Sequence, residues 1–406
     1  MTGTKRKTNE HSPGPAAAAV SIALVFDDDN LLIDILLRLG SPVWLVRAAL
    51  VRRRWLRLAS DYAFLGRFRG LHPPRILGLV VHGFDSSPRL LPVPQPPELA
   101  AAARLAGRTL ESLGRHDSVS DCRNGRLLVE ARSLGGLRYA VRSLLHAARP
   151  RSTTLPPPRH ASLPEGLFRR SRVFLLEDEA ASTSCLFLSI MCSKAKVYAD
   201  FRILRSGVWS APQSAVTELL QQEPHRTLFG LGDNLLSGSK VYMKTTAGAG
   251  CILGLDLATA SFFIVELPDG AGCSGSLKFS RAHQSGLYVV GATGYQLQVW
   301  HGDGVEQWEL VDTISVREAC NHLNVQRWDA DDGRGAPVSV VVLGDNAEFV
   351  ILELVASGIV CCMQLSNRVV EKVVEGVSWS YAASLVPVTM VWPPSFPVTD
   401  RASEEH

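Results

Sequence analysis

No C-x-x-C pair occurs among the eight cysteines, at positions 122, 185, 192, 251, 273, 320, 361 and 362. A zinc site therefore lacks its usual ligand spacing, and scattered thiols in a chain of 406 residues fit a reduced compartment better than a disulfide framework. Asn-x-Ser/Thr is absent as well, which agrees. No apolar run reaches the ~18 residues of a membrane-spanning helix. The longest early run, Ala16 to Phe26, follows Lys5-Arg6-Lys7 like a signal peptide. Ser21 interrupts it, however, and Asp27-Asp28-Asp29 stand where a cleavage site needs small residues. G-x-S-x-G, the P-loop and H-E-x-x-H are missing, which removes the commonest hydrolase, nucleotide-binding and zinc-protease frameworks. Charged residues make up 20% and the net charge is +3, too little of one sign for a polyelectrolyte or for nucleic-acid binding by the whole chain.

The remaining chemical candidates are weak. Gly248-x-Gly250 with Gly254 imitates a dinucleotide loop but lies among short strands, so a hairpin turn is expected. Cys361-Cys362 falls inside an apolar strand and reads as core thiols. His160 and His301 read as surface or turn residues. The expectation is a protein without catalysis, cofactor or metal.

Residues 1–24 are polar, then rich in Pro, Gly and Ala, and read as a disordered tail. Leu32, Ile35, Leu36 and Leu39 then fall at i, i+3, i+4 and i+7, the stripe of an amphipathic helix, with Asp27 to Asp29 at its positive end. Gly40 stops it. Ser41-Pro42 reads as an N-cap followed by proline at the first helical position. Further helices are expected from Val43 to about Leu50, from Arg53 to Ser60, and from an Asp61 cap through Phe68, ending at His72-Pro73-Pro74. Eight arginines between Arg47 and Arg75 face one acid, Asp61, which suggests a solvated basic face.

After residue 75 the texture changes. Ile76 to Phe84 is strand-like, 85–97 is a Pro/Ser-rich loop, and Glu98 to Leu113 reads as a helix. From residue 119 short apolar runs alternate with turns at Asn124-Gly125, Gly135-Gly136, Ser206-Gly207, Asp269-Gly270 and Gly302-Asp303-Gly304. Hydrophobic closures recur at Leu155-Pro156, Val208-Trp209, Leu267-Pro268, Glu309-Leu310 and Val373-Val374. Their spacing of roughly 40–65 residues approaches a propeller rhythm, with a sandwich as the alternative.

Residues 31–75 read LLIDILLRLGSPVWLVRAALVRRRWLRLASDYAFLGRFRGLHPPR. This resembles the F-box of grass F-box proteins: a leucine-rich helix, an R-L-x-S-P-x-x-L-V-R turn, V-x-x-x-W, and D-x-x-F-L-x-R-F-R-x-L-H-P-P. The resemblance continues at Asp121 to Leu128, at Leu297-Gln298-Val299-Trp300 with Trp308-Glu309-Leu310, and at Val388 to Pro397. It departs at Asp27-Asp28, where the family has Leu-Pro, and at Arg52, where it often has cysteine. Restoring those three residues is expected to tighten adaptor binding.

The resemblance implies an α+β chain: a small N-terminal three-helix F-box and a large all-β, propeller-like domain. The expected boundaries are a tail to 24, the F-box at 25–72, a connecting segment at 73–118, a target-binding domain at 119–397 and a tail from 398 to 406. It implies a substrate-recognition subunit of a Skp–cullin–F-box ubiquitin ligase. The partners would be a Skp-type adaptor, cullin through it, and an unidentified target, without nucleic acid or membrane. The site would be cytoplasmic or nuclear. Adaptor contact is expected from Leu31, Leu32, Ile35, Leu36, Leu39, Pro42, Leu45, Val46, Val51 and Trp55. The alternative is a β-domain scaffold that no longer engages the ligase.

Overall fold

A computed structural model describes residues 28–73, 75–82, 87–133, 136–145, 152–158, 168–176, 184–192, 196–218, 234–244, 251–268, 271, 276–282, 286–304, 307–328, 336–376, 384–392 and 394. The expected tail, Gly135, His160, Gly248-x-Gly250 and Asp269-Gly270 lie outside them. The chain divides into two units: residues 1–75 with 391–406, and residues 76–390.

The larger unit is a six-bladed β-propeller, so the sandwich alternative falls. Blade 1 is three-stranded: β1 (Ile76–His82), β2 (Arg89–Pro92) and β24 (Ser384–Thr389). Blade 2 is β3 (Asp117–Arg123), β4 (Arg126–Ser133), β5 (Gly136–Ser143) and β6 (Ser152–Thr154). Blade 3 has five strands: β7 (Phe168–Leu175), β8 (Cys185–Cys192), β9 (Lys196–Arg205), β10 (Val208–Trp209) and β11 (Gln213–Glu218). Blade 4 is β12 (Asn234–Ser237), β13 (Lys240–Lys244), β14 (Cys251–Asp256) and β15 (Ser261–Glu266). Blade 5 is β16 (Lys278–Arg281), β17 (Leu287–Thr293), β18 (Gln296–Gly302) and β19 (Trp308–Ser315). Blade 6 is β20 (Val338–Leu343), β21 (Phe349–Leu354), β22 (Ile359–Gln364) and β23 (Val370–Glu375).

Each blade is sandwiched between neighbours, so its middle strands are buried on both faces and read as unbroken apolar runs. β8 is buried along Cys185–Met191 and β22 along Ile359–Met363, including Cys361 and Cys362. Outer strands such as β19 and β23 are only partly buried and carry charges that discourage stray pairing. The five hydrophobic closures read from the sequence each fall on, or just after, the outermost strands of blades 2 to 6. Two tryptophans in or beside them act as clips between blades. The Trp209 indole N–H donates to the Pro156 carbonyl (2.9 Å), and the Trp308 indole N–H donates to the Glu266 carbonyl (2.7 Å). Both satisfy a carbonyl at the rim of the preceding blade. Asn124 and Gly125 both have positive φ (47° and 68°), the two-residue turn that matches the twist of β3 and β4.

β24 closes the ring by pairing antiparallel with β1, Val386 opposite Val80 and Val388 opposite Gly78. It is the edge of its sheet, which lets it carry Pro387. The expected boundaries therefore move. The propeller takes in residues 76–118, which hold β1, β2 and the start of β3 as well as a helix, α5 (Pro97–Glu111). It gives up residues 391–397, which join the helical unit. Propensity marks strands and helices locally, but it does not fix which residues pair across the domain. His301 is also relocated: it lies in β18 against Tyr288 (4.7 Å between centroids), not in a turn.

Candidate functional site

The helical unit contains α1 (Asp29–Leu37), α2 (Pro42–Ala49), α3 (Arg53–Ala59) and α4 (Tyr62–Leu71), the four helices that the sequence predicts. Its sequence places each start. Asp28 caps α1, accepting the N–H groups of Asn30 (2.7 Å) and Leu31 (3.2 Å). Ser41 Oγ accepts the Val43 N–H (3.2 Å), with Pro42 next. Asp61 accepts the Phe64 N–H (3.0 Å) at the start of α4. Arg52 precedes α3 and supplies no side-chain cap. Asp29 and Arg54 join α1 to α3 at 2.6 Å. His72 Nε2 lies 2.8 Å from the Leu37 carbonyl and ties the end of α4 to the end of α1.

Leu32, Leu36, Leu45, Ala49, Ala59, Phe64 and Phe68 form the core of this unit, and Trp392 from the C-terminal segment packs on it. Three of the ten expected contact residues are therefore relocated. Leu32, Leu36 and Leu45 are at most 1% exposed and present no surface to a partner. Periodicity finds an apolar stripe, but it does not say which residues of that stripe meet their own core. Burial of each such leucine contributes about 1.5–3 kcal/mol to folding.

The other seven reach the surface. Leu31 and Val51 are exposed, and Ile35, Leu39, Pro42, Val46 and Trp55 are half-buried. The structure adds residues that the sequence reading passed over. Trp44 is 46% exposed and Leu50 60%. Trp44 and Val51 lie seven residues apart, on one side of α2 and its C-terminal turn, opposite Leu45 and Ala49. Arg47 stands between them with its guanidinium 4.7 Å over the Trp44 ring. The missed signal was a tryptophan at i and a valine at i+7 on the face away from the core. Exposed Arg38, Arg52 and Arg57 belong to the same unit. An uncovered set of large apolar side chains with arginines beside it is suited to bind a protein surface.

Among the described residues no group of His, Cys, Asp and Glu is arranged to hold a metal, and no helix is long and apolar enough to cross a membrane. Burial pushes three thiols upward: Cys185 and Cys362 to about 12, Cys192 to about 11. Neighbouring Asp121 and Glu371 add to the effect at Cys185 and Cys362 respectively. These thiols are protonated at neutral pH and poor nucleophiles.

A family model described as F-box protein AT5G49610-like, beta-propeller, matches residues 118–396. Among curated proteins none matches the chain. Solved structures with a distant likeness include a puromycin hydrolase mutant complexed with PGG, at 10% identity and a TM-score of 0.33, covering 69% of this chain and 41% of that one. Apo AztD from Citrobacter koseri matches at 11% identity and a TM-score of 0.23, covering 68% of this chain and 63% of that one. Dihydro-heme d1 dehydrogenase NirN in complex with DHE matches at 10% identity and a TM-score of 0.26, covering 77% and 74%. The chain spans less than half of the hydrolase and less than two thirds of AztD. No activity is inferred from likenesses this distant.

Proposed function

Because the chain belongs to the F-box protein AT5G49610-like β-propeller family, we propose that it is the substrate-recognition subunit of a Skp–cullin–F-box ubiquitin ligase. Residues 25–72 serve as the F-box, and the propeller holds the target. The observation that carries this reading is the exposed apolar set on the helical unit: Leu31, Trp44, Leu50 and Val51, with half-buried Ile35, Leu39, Pro42, Val46 and Trp55. A unit this small keeps Leu32, Leu36 and Leu45 for its own core and leaves the rest to a partner. Arg38, Arg47, Arg52 and Arg57 favour an adaptor with acidic residues around its contact face. Ligase assembly of this kind places the protein in the cytoplasm or nucleus.

The chain contributes proximity instead of chemistry. Held on the adaptor, it raises the local concentration of target lysines near a charged ubiquitin-conjugating enzyme. The test is co-purification of the tagged full chain with a Skp-type adaptor and cullin. Recovery of both supports the reading. A folded chain that recovers neither removes it and leaves a propeller scaffold outside the ligase.

A further inference from the structure

The helix α5 and blade 2 of the propeller share a set of arginines that form no ion pair among the described residues. Arg142, on β5, places its Nη1 3.4 Å from Ser112 Oγ at the end of α5. Its Nε–H is buried and has no acceptor. The contact between α5 and β5 is fixed by a second bond, in which Thr109 Oγ1 donates to the Leu144 carbonyl (3.1 Å). Arg108 and Arg104 are exposed, one and two helical turns before Ser112. Arg138 is exposed on the same face of β5 as Arg142, and exposed Arg115 follows α5. None of the five makes an ion pair with a described residue, and Glu111 is the one exposed acid near the end of α5.

We propose that this cluster is an oxyanion-binding site centred on Arg142, and that it receives the carboxylates of an acidic segment of a target protein. The inference rests on the reading of the propeller as the target-binding part. An arginine fork donates two parallel N–H groups to a carboxylate; with Nε buried, the two Nη groups of Arg142 are the pair that can face one. Arg108 and Arg138 extend the positive field for neighbouring acids. The carbonyl end of α5 opposes an anion weakly, which the arginines must exceed. The cluster has a single half-buried arginine flanked by exposed ones, and so fits a short acidic segment better than a long polyanion.

The full chain is titrated with a fluorescein-labelled peptide alternating glutamate and glycine, and with its lysine counterpart. The glutamate peptide alone should bind, more weakly as salt rises. Arg142→Ala and Arg142→Lys should each lower its affinity about tenfold, because lysine keeps the charge and loses the fork. Exposed Arg108→Gln should lower it a few-fold with an unchanged melting temperature, which keeps the test valid if the Arg142 variants unfold. Equal binding of the lysine peptide, or full affinity in Arg142→Lys, overturns the proposal. So does tighter binding of a single-stranded oligonucleotide, or binding confined to a phosphoserine peptide. Adaptor co-purification by the same variants should be unchanged, so failure of this site and failure of the ligase reading are separable.

Discussion

Phe68 and Trp392 stack with ring centroids 6.0 Å apart and 7° between their planes, joining the two ends of the chain within the helical unit. Arg69 lies 5.9 Å over the same indole. The helical unit is thus completed by the C-terminal segment, after β24 has closed the propeller.

Trp392→Ala should destabilise the helical unit by about 2 kcal/mol, below the range for a fully buried tryptophan because Trp392 is half-exposed. Hydrogen exchange along Tyr62–Leu71 should accelerate while the propeller strands keep their protection. A chain ending at residue 390 should behave alike. A chain ending at 383 also loses β24 and should lose the cooperative propeller transition. If the two truncations melt identically, β24 does not close the ring.

The capping of α1 bears on one sequence expectation. Asp28 stands where the related pattern has proline, and restoring Leu-Pro at 27–28 with Cys at 52 was expected to tighten adaptor binding. Asp28 accepts two backbone N–H groups that proline cannot. The triple change should cost about 1 kcal/mol of helical-unit stability, to be read apart from its effect on adaptor binding. Arg52, at the uncapped start of α3, is the better position to improve: Arg52→Ser supplies the missing acceptor and should gain roughly 0.5–1 kcal/mol. Chemical denaturation followed in the helical unit reads both, and a more stable triple variant would contradict the cap argument.

Burial also separates two kinds of surface variant. Leu36→Asp places an unpaired carboxylate in the core and should unfold the helices, so lost adaptor binding there would say nothing about docking. Trp44→Asp with Val51→Asp changes exposed positions and should leave the helices intact. If these side chains face the adaptor, that double variant should release it at unchanged helical content. Retention of the adaptor would place docking elsewhere.

Much of this fold was legible because its signals are local. Ser41-Pro42 and Asp61 announce helix starts through their own side chains, and Asn124-Gly125 announces a hairpin because few other pairs accept positive φ twice. The closures Leu155-Pro156 and Leu267-Pro268 marked blade rims because each blade repeats one supersecondary unit. The apolar, extended C-terminal segment reads as one that packs on the β domain and closes it by pairing with an early strand; the closing pair is found, but through Ser384–Thr389, while Trp392 packs on the helical unit instead. The exposed face of α2 was half legible. Trp44 and Leu36 are equally apolar in composition, and only packing decides that one is bare and the other enclosed.

Blade packing carries a pH consequence. Folded Cys185 and Cys362 hold their protons to about 12, against an ordinary value of 9.0. Below pH 9 both states are protonated at these sites and their stabilising effect is fully present. Between 9 and 12 the unfolded chain ionises while the folded chain does not, so stability falls as pH rises. At pH 10 each thiol should cost about 1 kcal/mol of that stability. The melting temperature should therefore hold from neutral pH to about 8.5 and decline above 9. Cys185→Ala with Cys362→Ala removes the two groups and should flatten that decline, although the cavities lower the starting value. Native dithionitrobenzoate labelling at pH 8 should be slow at both positions and complete on unfolding. Rapid native labelling of either thiol, or an alkaline decline that persists in the double variant, would show that these thiols do not set the alkaline limit.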